Sequence, residues 1–108
     1  MRTEHTGMAW LEERQPLSFA ELAERSGLTE AELRRLVDEG ALSPIDPQGA
    51  QWTFSGHWAV TVRSASRLHH DFELPPESLA LTLTCLERIR ELETELRELR
   101  ARLPHGAP

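Results

Sequence analysis

Three sets of residues in this 108-residue chain are of types that carry out chemistry elsewhere. His69, His70 and Asp71 are consecutive, and imidazole and carboxylate groups are common metal ligands. Neighbours on a helix point about 100° apart, whereas helical ligand pairs sit three or four positions apart on one face. The triplet therefore predicts no metal site. His57 and the single cysteine, Cys85, are the types that form a base and nucleophile pair. No orienting acid or oxyanion donor is identifiable beside them, so two packed side chains are expected, with Cys85 a small buried residue among Leu83, Thr84 and Leu86. The six glycines are scattered at turns and form no phosphate-binding loop. No catalytic residue, metal or cofactor is expected.

The third set, Arg34 and Arg35, belongs to a segment with clear helix grammar. In Ser18-Phe19-Ala20-Glu21 and again in Thr29-Glu30-Ala31-Glu32, a hydroxyl residue precedes Glu by three positions. The hydroxyl can cap a free helix N–H while the Glu reaches back to the cap. Gly27 supplies the turn between the two helices, and Gly40 marks the expected left-handed stop of the second. This is helix-turn-helix spacing. From residue 17 to 58, however, seven acids (Glu21, Glu24, Glu30, Glu32, Asp38, Glu39 and Asp46) stand against Arg25, Arg34 and Arg35, a balance of −4. Duplex DNA would repel that surface, because each phosphate contact needs a cation to release condensed counterions. Arg34 and Arg35 are expected on a solvated face.

The elements that must position these residues fit one domain. Its composition, 39% hydrophobic and 28% charged with a net charge of −6, is ordinary for a soluble protein with one modest core. No stretch is apolar enough to cross a bilayer, and no apolar run follows Arg2 to act as an export signal, so a cytoplasmic location is expected. Residues 1–16 show no sustained periodicity, although Met8, Trp10 and Leu11 could pair as a short strand. Between 41 and 54, Pro44, Pro47 and Gly49 separate two short apolar pieces, the pattern of a small hairpin or wing, with Trp52 and Phe54 on one face. Ser55 can cap a third helix to about Phe72, with Trp58, Val62, Ala65 and Leu68 or His69 closing the core.

Pro75 and Pro76 break the chain and suit the start of a long helix to about Leu103. Its last part, Ile89, Leu92, Leu96, Leu99 and Leu103, repeats at 3-4-3-4 spacing and forms one seam that calls for a partner. With Ile89 at heptad position a, the flanking sites are Glu93, Glu95, Arg100 and Arg102. An antiparallel copy matches Glu93 with Arg100 and Glu95 with Arg102, so an antiparallel homodimer is expected, against the option of a helix folded back on its own domain. Leu79, Leu83 and Leu86 should add dimer or core contacts. The expected division is a segment at 1–16, a helix-turn-helix domain at 17–74, a dimerisation helix at 75–103 and a disordered tail at 104–108.

This order of two capped helices, wing, third helix and long terminal helix resembles the MerR-like winged helix-turn-helix: mainly α, with a small β wing and a long C-terminal dimerisation helix. More closely, Leu33 to Pro44 (LRRLVDEGALSP), Trp52-Thr53-Phe54, the run Arg67 to Leu74 (RLHHDFEL) and Ala80 to Leu83 (ALTL) leading to Ile89 and Leu92 resemble the CbpM-type chaperone modulators. MerR regulators carry a wing arginine that grips a phosphate; Trp52 stands there in this chain.

The resemblance implies a regulator that binds the J domain of a DnaJ-type, CbpA-like co-chaperone and inhibits both its stimulation of Hsp70 and its DNA binding. Such J domains present a basic helix, which an acidic dimer would complement. Exposure and charge nominate the contact residues: Asp71, Glu73 and Glu77 around the junction of the third and fourth helices, and Glu87 with Glu91, one turn apart on an expected exposed face. The alternatives are a MerR-like DNA-binding transcriptional regulator, in which Arg34, Arg35, Arg63 and Arg67 would gather to meet phosphates, and a small enzyme or metal binder.

Overall fold

The computed structural model describes residues 15–104. In chain order it consists of β1 (Leu17–Ser18), α1 (Phe19–Ser26), α2 (Glu30–Asp38), β2 (Thr53–Phe54), α3 (His57–Asp71), a 3-10 turn (Pro76–Ser78) and α4 (Leu79–Ala101). Both capping boxes form. The Ser18 hydroxyl accepts from the Glu21 N–H at 3.1 Å while the Ser18 N–H donates to the Glu21 carboxylate at 2.8 Å. Thr29 and Glu32 repeat this at 3.1 and 2.9 Å. Gly27 and Gly40 take φ of +82° and +81°, left-handed backbone that glycine adopts without a Cβ penalty, and they end the two helices where expected. Buried Ser26 ties the turn between them, its hydroxyl donating to the Ala23 carbonyl and accepting from the Leu28 N–H.

The wing differs from the expected hairpin. β2 pairs antiparallel with β1, Leu17 against Phe54 and Ser18 against Thr53, so the sheet joins the start of the domain to the end of the wing. The physical reason is the turn at 46–49: the Asp46 side chain accepts from the Gln48 N–H and its carbonyl from the Gly49 N–H, which leaves too little extended chain for a ladder of its own. A single bond from the Ile45 N–H to the Thr53 carbonyl, 2.8 Å, closes the loop. Met8, Trp10 and Leu11 lie outside the described residues.

Leu17, Leu22, Leu33, Leu36, Leu42, Phe54, Trp58, Val62 and Ala65 form the core, joined by Leu83 from α4. Trp58, Val62 and Ala65 of α3 are buried at the spacing the sequence gives, with Leu68 and His69 half-buried beside them. Ser55 does not cap α3. Its hydroxyl meets His57 Nδ1 at 2.9 Å instead, and its carbonyl accepts from the Trp58 N–H.

Leu83 is fully buried, and Leu79 and Leu86 pack on the same core, so these three serve the domain and not a dimer seam. Two polar bonds cross from α3 to α4. His57 Nε2–H donates to both Glu87 carboxylate oxygens at 3.2 Å, which fixes that nitrogen as the protonated one, and His69 Nε2 meets the Thr82 hydroxyl at 2.8 Å. Arg90 adds a fork to Glu87 at 3.0 and 3.0 Å. Cys85 points the other way and is exposed, which corrects the expectation of a buried thiol: the helix turns its Leu83 face inward, and Cys85 lies two positions round from it. Among the described residues no helix is long and apolar enough to cross a membrane.

Two measurable consequences follow from these bonds. The Ser18 backbone N–H, then the Ser18 hydroxyl, holds the Glu21 carboxyl below its ordinary value, with a smaller contribution from Arg25. A depressed folded-state pKa means the ionised form stabilises the fold above the ordinary carboxylate range, and that contribution is lost as pH falls through the depressed value. Glu21→Gln should therefore be less stable than wild type in urea unfolding at neutral pH, with the two curves converging as pH falls below the ordinary carboxylate range; a constant gap would refute the linkage. Glu87→Ala removes the carboxylate that Arg90 and largely buried His57 both bond and should cost about 1 to 3 kcal/mol, the scale of hydrogen bonds to a charged group. An unchanged urea midpoint would show that the clamp contributes nothing.

Candidate functional site

The expected contact and dimerisation residues separate into three places. Asp71, Glu73 and Glu77 are all exposed around the turn from α3 to α4. Glu73 sits at φ +50°, left-handed backbone that a side-chain-bearing residue adopts at a cost of about 1 to 2 kcal/mol. The strain is held by the end of α3, where the Phe72 N–H bonds the Leu68 carbonyl at 3.0 Å and the Leu74 N–H bonds the His69 carbonyl at 3.0 Å. Glu77 lines a cleft of about 90 Å3 with Glu32, Arg35 and Glu39 of the α2 region. The fold thus gathers three acids that are far apart in sequence, with Arg35 paired to Glu39 at 3.8 Å.

Glu91 is exposed and bonded to Arg88 at 3.3 Å, but Glu87 departs from the exposed face expected for it. Its side chain is 17% exposed and its carboxylate is already engaged by His57 and Arg90. The two acids still border one groove of about 450 Å3, lined also by Gly40, Ala41, Ser43 and Trp58. The signal for Glu87 in the sequence was the Arg90 three positions on; nothing local pointed to His57, thirty residues away.

Four residues of the expected seam lie on the part of α4 that projects from the domain, and Leu103 lies just past its end. Ile89, Leu92, Leu96, Leu99 and Leu103 are all exposed, from 47% for Leu92 and Leu96 to 62% for Leu103. This part of α4 does not fold back on the domain. Leu92, Leu96 and Leu99 line an open groove with Glu95, Glu98 and Arg102. In the heptad frame that puts Ile89 at a, Cys85 occupies the d position before it and extends the same stripe.

The helix-turn-helix face holds a cluster that the sequence reading missed. Arg34 is exposed, as expected, but its guanidinium also lies over the rings of Phe19 and Trp52, 5.4 and 5.2 Å from their centroids. Phe19 contacts Trp52 edge-on at 5.9 Å and stacks on Phe54 at 6.1 Å, and the Trp52 indole N–H donates to the Pro47 carbonyl at 3.3 Å. Two stacked rings, each contributing about 0.5 to 1 kcal/mol at an exposed site, outweigh the alternative bond to Glu30 one turn back, which would contribute about 0.2 to 0.5 kcal/mol. The signal was present in the aromatic residues flanking the first cap and the wing end, but their meeting depends on the β1–β2 pairing.

Comparison with known proteins agrees with this geometry. Residues 17–101 match the family model described as MerR HTH family regulatory protein. Proteins named chaperone modulatory protein CbpM from Escherichia coli O1:K1 / APEC, Escherichia coli (strain UTI89 / UPEC) and Escherichia coli O9:H4 (strain HS) are each 35% identical over 86 residues, covering 80% of this chain and 85% of the relative. With its capped helix-turn-helix, short wing and projecting helix, the chain belongs to the MerR helix-turn-helix family and to its CbpM-type members.

Proposed function

We propose that this protein is a chaperone modulator, a cytoplasmic homodimer that binds the J domain of a DnaJ-type co-chaperone and inhibits its co-chaperone and DNA-binding activities. The observation that carries the reading is the 35% identity, over most of both chains, to proteins named as chaperone modulators. Charge supports it: the helix-turn-helix region is acidic, Arg35 is spent on Glu39, and Arg34 on aromatic rings. A surface that repels phosphate backbones is suited to the basic helix of a J domain, where complementarity speeds encounter and selects the partner. Covering that helix would keep it from Hsp70. Asp71, Glu73, Glu77 and Glu91 are the proposed contacts, whereas Glu87 acts mainly through the α3–α4 clamp. The DNA-binding alternative draws on the MerR family match; failure of the dimer to retard any genomic fragment at low salt removes it.

Calorimetric titration with the isolated J domain of the same organism's co-chaperone should give saturable binding that weakens with salt. Absence of heat at any salt would overturn the reading. Glu73→Gly separates strain from contact: it should stabilise the fold by about 0.5 to 1 kcal/mol in urea unfolding, because glycine takes the left-handed backbone freely, and weaken J-domain binding. Unchanged affinity would take Glu73 out of the contact.

The dimer has its own tests. Leu96→Asp places a charge mid-seam and should halve the mass in light scattering; an unchanged mass refutes pairing through this seam. Cys85 reports the orientation. A parallel pair would set the two Cys85 Cα atoms within the roughly 4.4 to 6.8 Å of a disulfide, whereas the antiparallel pairing of Glu93 with Arg100 sets them roughly 34 Å apart at 1.5 Å per residue. Mild oxidation should leave the wild-type dimer uncrosslinked on a non-reducing gel, and a covalent dimer would establish the parallel form.

A further inference from the structure

The groove between α1, α2 and the wing end is not accounted for by acidic complementarity. It measures about 510 Å3 and is lined by Ser18, Phe19, Ala20, Glu30, Arg34 and Trp52, with Ala50 and Gln51 at its edge. That is the size range of sites that take a small ligand or a few side chains. Among the described residues its one cation is Arg34. Glu30 and Arg34 stand at i and i+4 with the acid first, the favourable order for a helix ion pair, yet among the described residues no carboxylate lies within ion-pair distance of Arg34. The guanidinium face is spent on Phe19 and Trp52. Its in-plane N–H donors have no acceptor in the described structure, and a guanidinium has five of them in a fixed fork.

This is an exposed donor fork resting on two aromatic rings, in a groove of mixed polar and apolar lining beside the positive end of α1. A fork of this kind matches a planar carboxylate in two-pronged geometry. We propose that this groove receives an aspartate or glutamate side chain of the protein partner, together with the apolar residue next to it, so that Arg34 and Trp52 form a second, oppositely charged contact beside the acidic surface. Identifying the carrier of that carboxylate as the J domain rests on the modulator reading; the chemistry of the groove does not. A nucleic-acid phosphate has the same affinity for a guanidinium, but a duplex brings rows of phosphates. Glu30 in the groove wall opposes either anion, but a row of phosphates would also run past exposed Glu21 and Glu32 in the first turns of α1 and α2. One carboxylate beside the Phe19 and Trp52 rings needs one cation, and Arg34 supplies it.

Two measurements on the full chain test this. Calorimetry with the isolated J domain should show Arg34→Gln losing about 10- to 100-fold in affinity, the scale of one charged hydrogen-bonded contact, with Arg34→Lys recovering only part. The Glu73→Gly variant, measured alongside, reports on the acidic surface. If wild type binds and Arg34→Gln binds within twofold, with its melting curve intact, the groove proposal is overturned while the modulator reading stands. The partner-independent arm follows the Arg34 Nε–H and Trp52 indole N–H resonances while acetyl-Leu-Asp-amide, acetyl-Leu-Asn-amide or a short DNA duplex is added. Shifts with the aspartyl peptide alone support the groove even if the J domain does not bind, in which case the modulator reading falls. Equal shifts with the asparaginyl peptide, shifts with the duplex, or none with any probe overturn it.

Discussion

Leu83 is buried completely against the core while the His57–Glu87 and His69–Thr82 bonds cross the same α3–α4 interface at two heights, so α4 can neither roll nor slide without breaking one of them. The rest of the architecture follows from that seating. At about 100° per residue, Ile89, Leu92, Leu96, Leu99 and Leu103 lie roughly 120 to 180° round the helix from Leu83. One helix therefore carries two apolar stripes that cannot face the same body. Burying the first leaves the second in solvent, and fully burying each of those side chains is worth about 1.5 to 3 kcal/mol. The long axis of the molecule, 50 Å against 32 and 31 Å, is the outward expression of this division.

At the other end of the domain a similar competition decides what the helix-turn-helix can do. Its backbone has the form used for reading DNA, with two capped helices and a wing, but the side chains that would meet phosphates are turned to other uses. Arg35 leans on Glu39 in an exposed pair of small worth. Arg34 prefers two aromatic faces to the glutamate one turn back. Trp52 contributes ring surface where the resemblance to MerR regulators leads one to expect a phosphate-gripping arginine. The scaffold keeps its shape because that shape is set by Leu22, Leu33, Leu36, Phe54 and Val62, none of which is exposed. On the proposed reading its surface suits protein, since an aromatic platform bearing a single cation would recognise a local feature and not a charged polymer.

What the sequence disclosed was local or periodic. The hydroxyl and glutamate pairs fixed two helix starts through bonds spanning three residues, Gly27 and Gly40 fixed two ends through backbone freedom, and the alternating three and four spacing marked an apolar stripe that stands exposed on α4. The contacts it hid join residues far apart in the chain. His57 finds Glu87 because α3 and α4 pack; Glu32 and Glu39 find Glu77 because the 3-10 turn passes α2; Phe19 finds Trp52 because a two-residue sheet joins them. Cys85 was misjudged for the same reason: an apolar neighbourhood along the chain does not say which side of a helix faces inward. Among the expected contact residues this distinction matters most for Glu87, whose spacing from Glu91 is correct for a shared face but whose carboxylate was taken by a partner on another helix.

Placing the seam beyond the anchor has a consequence for how the proposed dimer would meet its partners. In the antiparallel pairing that matches Glu93 with Arg100, the two Leu83 anchors stand roughly 40 Å apart along the paired helices at 1.5 Å per residue. The acidic surfaces at the α3–α4 turns lie farther out still, since Asp71, Glu73 and Glu77 precede the anchor. Exposed charges separated by much more than a Debye length of about 8 Å at physiological salt scarcely sense one another. Each domain would then attract its own J domain with the field of its own acids. The second binding event would meet no electrostatic penalty from the first, and any cooperativity would have to travel through the helices themselves.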